Sequence, residues 1–237
     1  MDHEINARLN AWLARTDEFD QLPKIKADLP YNGPYWGCIM VGGCQGSGKS
    51  VLARGLAREI GAFVIQSDAV RKHLWGIPVT EKLPVEAYSK EHALKTVNGI
   101  IERAGKVLDH GYPVIIDQTF SALATRNQVQ YAMTDKAAGH VLGLWCDVSH
   151  EVAVSRILAR QNDLSDYDAA AMAYSPLHTH PNIQPDPYYW QVLDANSTPE
   201  DILVRALHVV EKRIGPHAMV PQPAPEPALE AENTPTR

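Results

Sequence analysis

The sequence has few cysteines, no apolar run long enough to cross a membrane and no excess of positive charge. Its 237 residues contain three cysteines, Cys38, Cys44 and Cys146, and no pair of them has the spacing of a zinc site. We therefore expect buried thiols in a reducing compartment, the cytoplasm, and no disulfide framework. The first residues, Met1-Asp2-His3-Glu4, do not begin a secretory signal, so neither export nor a membrane partner is expected.

The balance of charge bears on the class of ligand. A formal net charge of −6 argues against tight non-specific binding to nucleic acid, and no basic stripe interleaved with aromatic residues is present. A local basic groove is still compatible with this balance. The hydrophobic fraction of 45% and the charged fraction of 21% are ordinary for a globular protein. The composition therefore favours a small-molecule partner over nucleic acid.

A glycine-rich stretch between a predicted strand and a predicted helix carries the strongest signal. It follows the apolar run 38–41 and fills the spacing G-x-x-x-x-G-K-[ST] with Gly43, Gly48, Lys49 and Ser50. Its glycines let backbone N–H groups point into one concavity, and the helix N-terminus adds partial positive charge. We expect Lys49 to reach the β- and γ-phosphates of a nucleotide and the Ser50 hydroxyl to bind Mg²⁺. The predicted nucleotide-binding residues are Gly43, Cys44, Gln45, Gly46, Ser47, Gly48, Lys49, Ser50 and Val51.

Predicted strands and helices alternate along the rest of the chain. Further strands are expected at about 62–66, 114–117, 140–146 and 190–193. Helices are expected at about 68–72, 85–110, 122–138 and 149–161, with a closing helix from Thr198. This alternation predicts an α/β fold with a doubly wound, mostly parallel five-stranded sheet.

The two ends of the chain have a different character. Residues 1–35 are expected to form an N-terminal extension containing an amphipathic helix over 4–19. The main domain is expected to cover 36–215. Residues 216–237 are rich in proline and glutamate and lack aromatic residues, so this tail is expected to be disordered.

Asp68 follows directly after the second predicted strand. Ligands of such sheets bind at the carboxyl ends of the strands. Asp68 is therefore expected to face the γ-phosphate and to accept the proton of a substrate hydroxyl or orient that hydroxyl. Arg71 lies three residues on and is predicted to hold an anionic group of the substrate. The alternative for Asp68 is a simple helix cap.

Asp117 ends the third predicted strand, where a carboxylate binds Mg²⁺ directly or through water in proteins with this type of loop. The alternative is a turn residue at a strand end. Thr119 and Arg126 follow in the next turn and helix, near the same cleft. Both are candidates for contact with the substrate, and a solvated surface position is the alternative for Arg126.

Arg156 and Arg160 are four residues apart on the helix that precedes a polar, proline-containing segment. One helix face would present both guanidinium groups to the site, where they would neutralise charge on a transferring phosphoryl group. The helix end and the polar segment, at about 156–188, are predicted to form a lid that excludes water. A pair of exposed arginines is the alternative.

These motifs resemble the P-loop kinases known as zeta-toxin-like proteins or AAA family ATPases, which are related to polynucleotide 5′-hydroxyl kinases and gluconate kinases. The resemblance covers about residues 36–214 and rests on 43–50, 67–72, 114–120 and 156–168. It implies a nucleoside-kinase-like strand order, use of ATP and Mg²⁺, an activating aspartate at Asp68 and lid arginines at Arg156 and Arg160. Gln118 and the pair Cys44-Gln45 depart from the usual pattern of that group.

The leading interpretation is an enzyme that transfers the γ-phosphate of ATP to a hydroxyl group, mainly by positioning and charge stabilisation. Lys49, Ser50 and Asp117 would bind ATP and Mg²⁺, and Asp68 would act on the acceptor. A small-molecule acceptor is favoured, while a polynucleotide 5′ end and a nucleotide sugar remain open. A function of another class, a regulatory ATPase without an acceptor, is also compatible with the sequence.

Overall fold

The computed structural model describes residues 37–78, 80–137, 140–159 and 188–214. Its centre is one sheet of five parallel strands in the order β2-β3-β1-β4-β5. The strands are β1 (Cys38–Gly43), β2 (Phe63–Gln66), β3 (Val114–Asp117), β4 (Val141–Asp147) and β5 (Trp190–Asp194). The predicted α/β fold is confirmed, and every strand pairing in it is parallel.

Helices cover both faces of the sheet, as parallel strands require. They are α1 (Lys49–Ile60), α2 (Ser67–Leu74), α3 (Lys90–Asp109), α4 (Leu123–Lys136), α5 (His150–Ala159) and α6 (Pro199–Ile214). Along β1 the side chains alternate between two cores. Ile39 and Val41 pack in the core that includes α1 and α6, while Cys38 and Met40 pack in the core that includes α3 and α4.

Two predicted helix boundaries were wrong. The long helix expected from Val85 is instead a short 3-10 helix, Val85–Tyr88, followed by α3. The helical conformation is interrupted at Ser89 because the backbone of this residue is extended. The Ser89 hydroxyl accepts a hydrogen bond from the backbone N–H of His92 and thereby caps α3. The helix expected at about 68–72 already begins at Ser67, so Asp68 lies in its first turn and is not its cap, and the N-cap residue Gln66 provides no side-chain cap.

Two tryptophans fix the packing between neighbouring strands. Trp190 on β5 lies opposite Gly143 on β4 in the parallel register, and Trp145 on β4 lies opposite Gly42 on β1. A Cβ atom on Gly143 would overlap the indole ring of Trp190, and one on Gly42 would lie 2.9 Å from the ring of Trp145. The two indole rings meet edge to face, with centroids 6.2 Å apart.

The topology brings the carboxyl ends of all five strands to one edge of the sheet. The connection 43–48, the start of α2 and the residues after β3 lie at this edge. Among the described residues, no helix has both the length and the apolar character needed to cross a membrane. The predicted extension 1–35, most of the lid and the tail lie outside the described residues.

Candidate active site

The loop between β1 and α1, residues 43–48, has the backbone shape of an anion cradle. Gly46 and Gly48 have positive φ angles of 76° and 88°. A side chain on Gly46 would collide with the carbonyl group of Ala153, so only glycine fits there. A Cβ atom on Gly48 would meet only the Arg156 guanidinium, at 3.8 Å. We call this connection the P-loop.

The first turn of α1 leaves its positive end available to a ligand. Gly48 is the N-cap residue, so no side chain caps the helix, and the first turn contains no acidic residue. The Lys49 ammonium folds back on the loop and donates a hydrogen bond of 3.2 Å to the carbonyl oxygen of Cys44. These N–H groups and this lysine together fit the phosphates of a nucleotide.

Asp117 lies beside the P-loop at the end of β3 and is only 4% exposed. In the parallel register it is next to Val41 on one side and Gln66 on the other. The Gln66 amide donates a hydrogen bond of 3.4 Å to the Asp117 carboxylate. This carboxylate and the Ser50 hydroxyl provide the oxygen ligands that Mg²⁺ prefers.

The residues after Asp117 are tied to the P-loop through the backbone. The N–H group of Gln118 donates to the carbonyl oxygen of Val41, and the N–H group of Gly43 donates to that of Thr119, both at 3.2 Å. The Ser47 hydroxyl and the Gln118 amide oxygen are buried here, and neither forms a hydrogen bond with a described residue. Buried polar atoms without partners are costly, so they support the presence of a polar ligand at this edge.

Arg126 lies near the start of α4, where the sequence places it. It is 5% exposed, and its guanidinium donates hydrogen bonds to the carbonyl oxygens of Phe120 at 2.7 Å and Ser121 at 3.3 Å. Burial lowers the pKa of this guanidinium from its ordinary value. Arg126 is therefore not a solvated surface residue, and its contact with a substrate stays a prediction. It holds the turn that contains Thr119.

The helix α2 starts immediately after Gln66, at the same edge of the sheet. The Asp68 carboxylate is 52% exposed and lies 3.4 Å from the ammonium of Lys72, a lysine that is only 3% exposed. The Arg71 guanidinium lies 4.0 Å from the same carboxylate and 4.9 Å from the centroid of the Tyr88 ring. The Arg71 Nε atom is buried and forms no hydrogen bond with the part of the chain that the structure describes.

Arg156 connects α5 to the segment after β5. Its guanidinium donates two hydrogen bonds of 2.9 Å, to the carbonyl oxygens of Ala195 and Ser197, and lies beside Gly48 of the P-loop. Arg160 and the predicted lid beyond it lie outside the described residues. The structure therefore brings Arg156 to the P-loop and leaves the role of Arg160 a prediction.

Two of the three free thiols lie next to the P-loop. Burial raises the pKa of the Cys44 thiol, while the Lys49 ammonium acts in the opposite direction. Burial also raises the pKa of the Cys146 thiol to about 12, against the opposing effect of Lys49. Both thiols are therefore protonated at neutral pH.

Sequence reasoning missed several residues of this site. Lys72, Tyr88 and Gln66 were not predicted, although the spacing of Lys72 four residues after Asp68 on a helix was a usable signal. No local signal indicated Tyr88, because it reaches Arg71 across a loop. The positive φ of Phe120, 50°, was equally hidden from the sequence.

Comparison with known proteins places these observations in context. The family model described as an AAA domain matches residues 38–174. Uncharacterised proteins of Mycobacterium tuberculosis (Rv2004c) and Mycobacterium bovis (Mb2027c) are each 31% identical to the chain over 138 residues. The match covers 56% of this chain and only 28% of either relative, so the chain spans a minor part of their length.

Solved structures share the fold at low sequence identity. A sugar kinase from Janibacter sp. HTCC2649 is 21% identical with a TM-score of 0.54, and the alignment covers 77% of this chain and 98% of that protein. The APS kinase CysC of Mycobacterium tuberculosis, solved with AMPPNP and APS, is 16% identical with a TM-score of 0.56, and the alignment covers 75% and 99%. The predicted similarity to the P-loop kinase fold is confirmed.

Proposed function

Because the chain belongs to the AAA domain family and has the fold of P-loop kinases, we propose that it transfers the γ-phosphate of ATP to a hydroxyl group of a small molecule. The observation that carries the proposal is the position of Asp68. Its exposed carboxylate stands at the same sheet edge as the P-loop and Asp117, between the cationic groups of Arg71 and Lys72.

In this proposal the P-loop and its neighbours bind the nucleotide. The backbone N–H groups of 43–48 and the Lys49 ammonium would bind the phosphates, and Ser50 and Asp117 would hold Mg²⁺. The bound cation would neutralise charge on the phosphate oxygens. Lys49 donates to the carbonyl oxygen of Cys44 and would exchange this bond for one to a phosphate oxygen.

The acceptor would bind against α2. Asp68 would accept the proton of the attacking hydroxyl group or hold that group in line with the phosphate. Arg71 would bind an anionic group of the acceptor, because its Nε–H lacks a partner among the described residues while the Tyr88 ring holds its guanidinium in place. The solved neighbours named sugar kinase, gluconokinase and APS kinase support a small-molecule acceptor.

Arg156 would provide a fixed positive charge beside the P-loop. Its guanidinium is held more tightly than that of an arginine on a closing lid. Two of its N–H groups are bound to Ala195 and Ser197, so the guanidinium is preorganised next to Gly48. A fixed cation at this position would stabilise charge on the nucleotide without reorganisation. Arg160 stays a candidate for charge stabilisation in the transfer, and Thr119 a candidate for substrate contact.

The proposal is tested with γ-labelled ATP, Mg²⁺ and pools of acceptors: sugars, sugar acids, aminoglycosides, nucleosides, nucleotide sugars and 5′-hydroxyl oligonucleotides. We expect label on one small-molecule pool. Asp68→Asn should lower the rate of transfer by about 10²- to 10⁴-fold while ATP still binds. Asp135→Asn, which changes an exposed carboxylate on α4, is the matched control and should leave the rate unchanged.

Three outcomes would count against the proposal in different ways. If label appeared only on oligonucleotides, the protein would still be a kinase, but its acceptor would be a nucleic acid and not a small molecule. Hydrolysis of ATP without any labelled acceptor, unaffected by Asp68→Asn, would contradict the kinase and favour a regulatory ATPase. Loss of ATP binding in Asp68→Asn would mean that Asp68 serves the nucleotide rather than the acceptor.

A further inference from the structure

A groove of about 680 Å³ opens between the end of α2 and α3. We call it the α2–α3 groove. None of the residues discussed for the active site lines it. Its floor follows one stripe of α3, with Thr96 and Gly99 between His92 and Arg103, and its wall is the segment 73–75.

Arg103 is the unusual member of this groove. Its side chain is only 3% exposed, and it donates one hydrogen bond of 2.9 Å, to the carbonyl oxygen of Gly99 on its own helix. A guanidinium carries five N–H donors, so most of them are left over. Among the described residues, no carboxylate lies within ion-pair distance of Arg103.

The nearest acidic side chain is already engaged. Burial lowers the pKa of Arg103 and Glu102 acts in the opposite direction, but the Glu102 carboxylate is exposed and lies 3.4 Å from the Lys106 ammonium. A buried cation without a counter-ion is expensive, and proteins usually pair such a group. Arg103 therefore lines the groove as a largely buried cation that an anionic group could pair with.

The groove is shaped to keep this guanidinium in place. A Cβ atom on Gly99 would lie 3.0 Å from Nη1 of Arg103 and 3.2 Å from a methyl group of Val70 on α2. The absence of a side chain at Gly99 thus creates the space that Arg103 occupies. Above it, the Trp75 ring packs against His92 with centroids 4.7 Å apart and forms an aromatic wall.

We propose that the α2–α3 groove binds a small molecule with a carboxylate or phosphate group, which pairs with the Arg103 guanidinium while its remaining part lies against Trp75. Planar oxyanions suit a guanidinium because two parallel hydrogen bonds form. This site is separate from the proposed transfer reaction and does not depend on it. Its ligand would contact α2, the helix that carries Asp68 at its other end.

The test follows the indole N–H signal of Trp75 in ¹H–¹⁵N spectra, assigned with Trp75→Phe. Inorganic phosphate and benzoate are titrated separately at constant ionic strength, so that a phosphate preference is distinguished from an aromatic carboxylate preference. We expect a saturable shift with at least one of them. Arg103→Met should weaken it about tenfold or more, because a charge-assisted pair is lost, and Gly99→Ala should weaken it by displacing the guanidinium.

Two controls make the result decisive. Lys49→Ala removes the main phosphate contact of the P-loop and should leave the Trp75 titration unchanged. Arg103→Met should melt at the same or a higher temperature in anion-free buffer, since it removes an unpaired buried cation and leaves the Gly99 carbonyl in its helical hydrogen bond. An unmoved Trp75 signal, an equal shift in Arg103→Met, or a lower melting temperature of that variant would overturn the proposal.

Discussion

Phe120, three residues after Asp117, is a buried residue with a strained backbone conformation. It is a fully buried residue with a φ of 50°, a conformation that costs a non-glycine residue about 1–3 kcal/mol. Its ring packs edge to face against Trp190 at 5.4 Å, and its carbonyl oxygen accepts a hydrogen bond from Arg126. These contacts hold the turn whose Thr119 carbonyl binds the P-loop.

Replacing Arg126 by leucine should therefore destabilise the protein. The variant leaves the Phe120 carbonyl without its donor, and the expected loss is about 1–3 kcal/mol in the free energy of unfolding, measured by urea denaturation. Asn127→Ala, at an exposed neighbouring position of α4, should change stability by less than about 0.5 kcal/mol. Equal stabilities of the two variants would show that Arg126 does not hold the turn.

The cysteines allow a second test at the residue scale. Burial raises the pKa of Cys146 to about 12 and also raises that of the half-buried Cys44. At pH 8 iodoacetamide should modify Cys44 slowly, faster as the pH rises, and Cys146 only on unfolding, as read by mass spectrometry. MgATP should protect Cys44, which lies in the P-loop. Modification of Cys146 at the rate of Cys44 would contradict the described packing.

At the scale of elements, the match between glycines and tryptophans sets how β1, β4 and β5 approach one another. Gly143 and Gly42 are the positions over which the rings of Trp190 and Trp145 lie. The alternation of strands and helices along the sequence predicted which segments become strands. It contained no information about how these glycines and tryptophans fit together. Local patterns describe one strand at a time, while the ring positions depend on the register between two strands.

Gly143→Ala should consequently weaken the sheet. The added methyl group overlaps the Trp190 ring, and overpacking of a core typically costs about 1–3 kcal/mol in the free energy of unfolding. Gly105→Ala is the matched control, because its methyl group would meet only the flexible end of Lys136 and would improve helix propensity. If Gly143→Ala melted at the same temperature as the parent protein, Trp190 on β5 could move away from the added methyl group without loss of stability.

At the scale of the whole molecule, the arrangement links nucleotide binding to stability. The P-loop contacts β1, α1, the turn after β3 and Arg156, so a ligand bound there would bridge elements from both halves of the sheet. Binding to the folded state alone stabilises it by mass action.

MgATP should raise the melting temperature progressively with the logarithm of its concentration, and at one hundred times the dissociation constant it should add about 2.7 kcal/mol to the free energy of unfolding. Removing the metal with EDTA should reduce the shift if Ser50 and Asp117 hold Mg²⁺. Lys49→Ala should largely abolish it. The same rise with the Lys49 variant would contradict nucleotide binding at the P-loop.

Sequence alone was enough for the sheet of five parallel strands, the P-loop and the placement of Asp68 and Asp117 at strand ends. These features follow from local periodicity and from glycine spacing, which act over a few residues. The tertiary structure alone decided that Arg126 is buried against Phe120, that the Lys72 ammonium beside Asp68 is buried, and that Arg103 faces a groove without a counter-ion. The partners in these contacts are only four to six residues apart in sequence, but the burial of each charge is determined only when the elements pack.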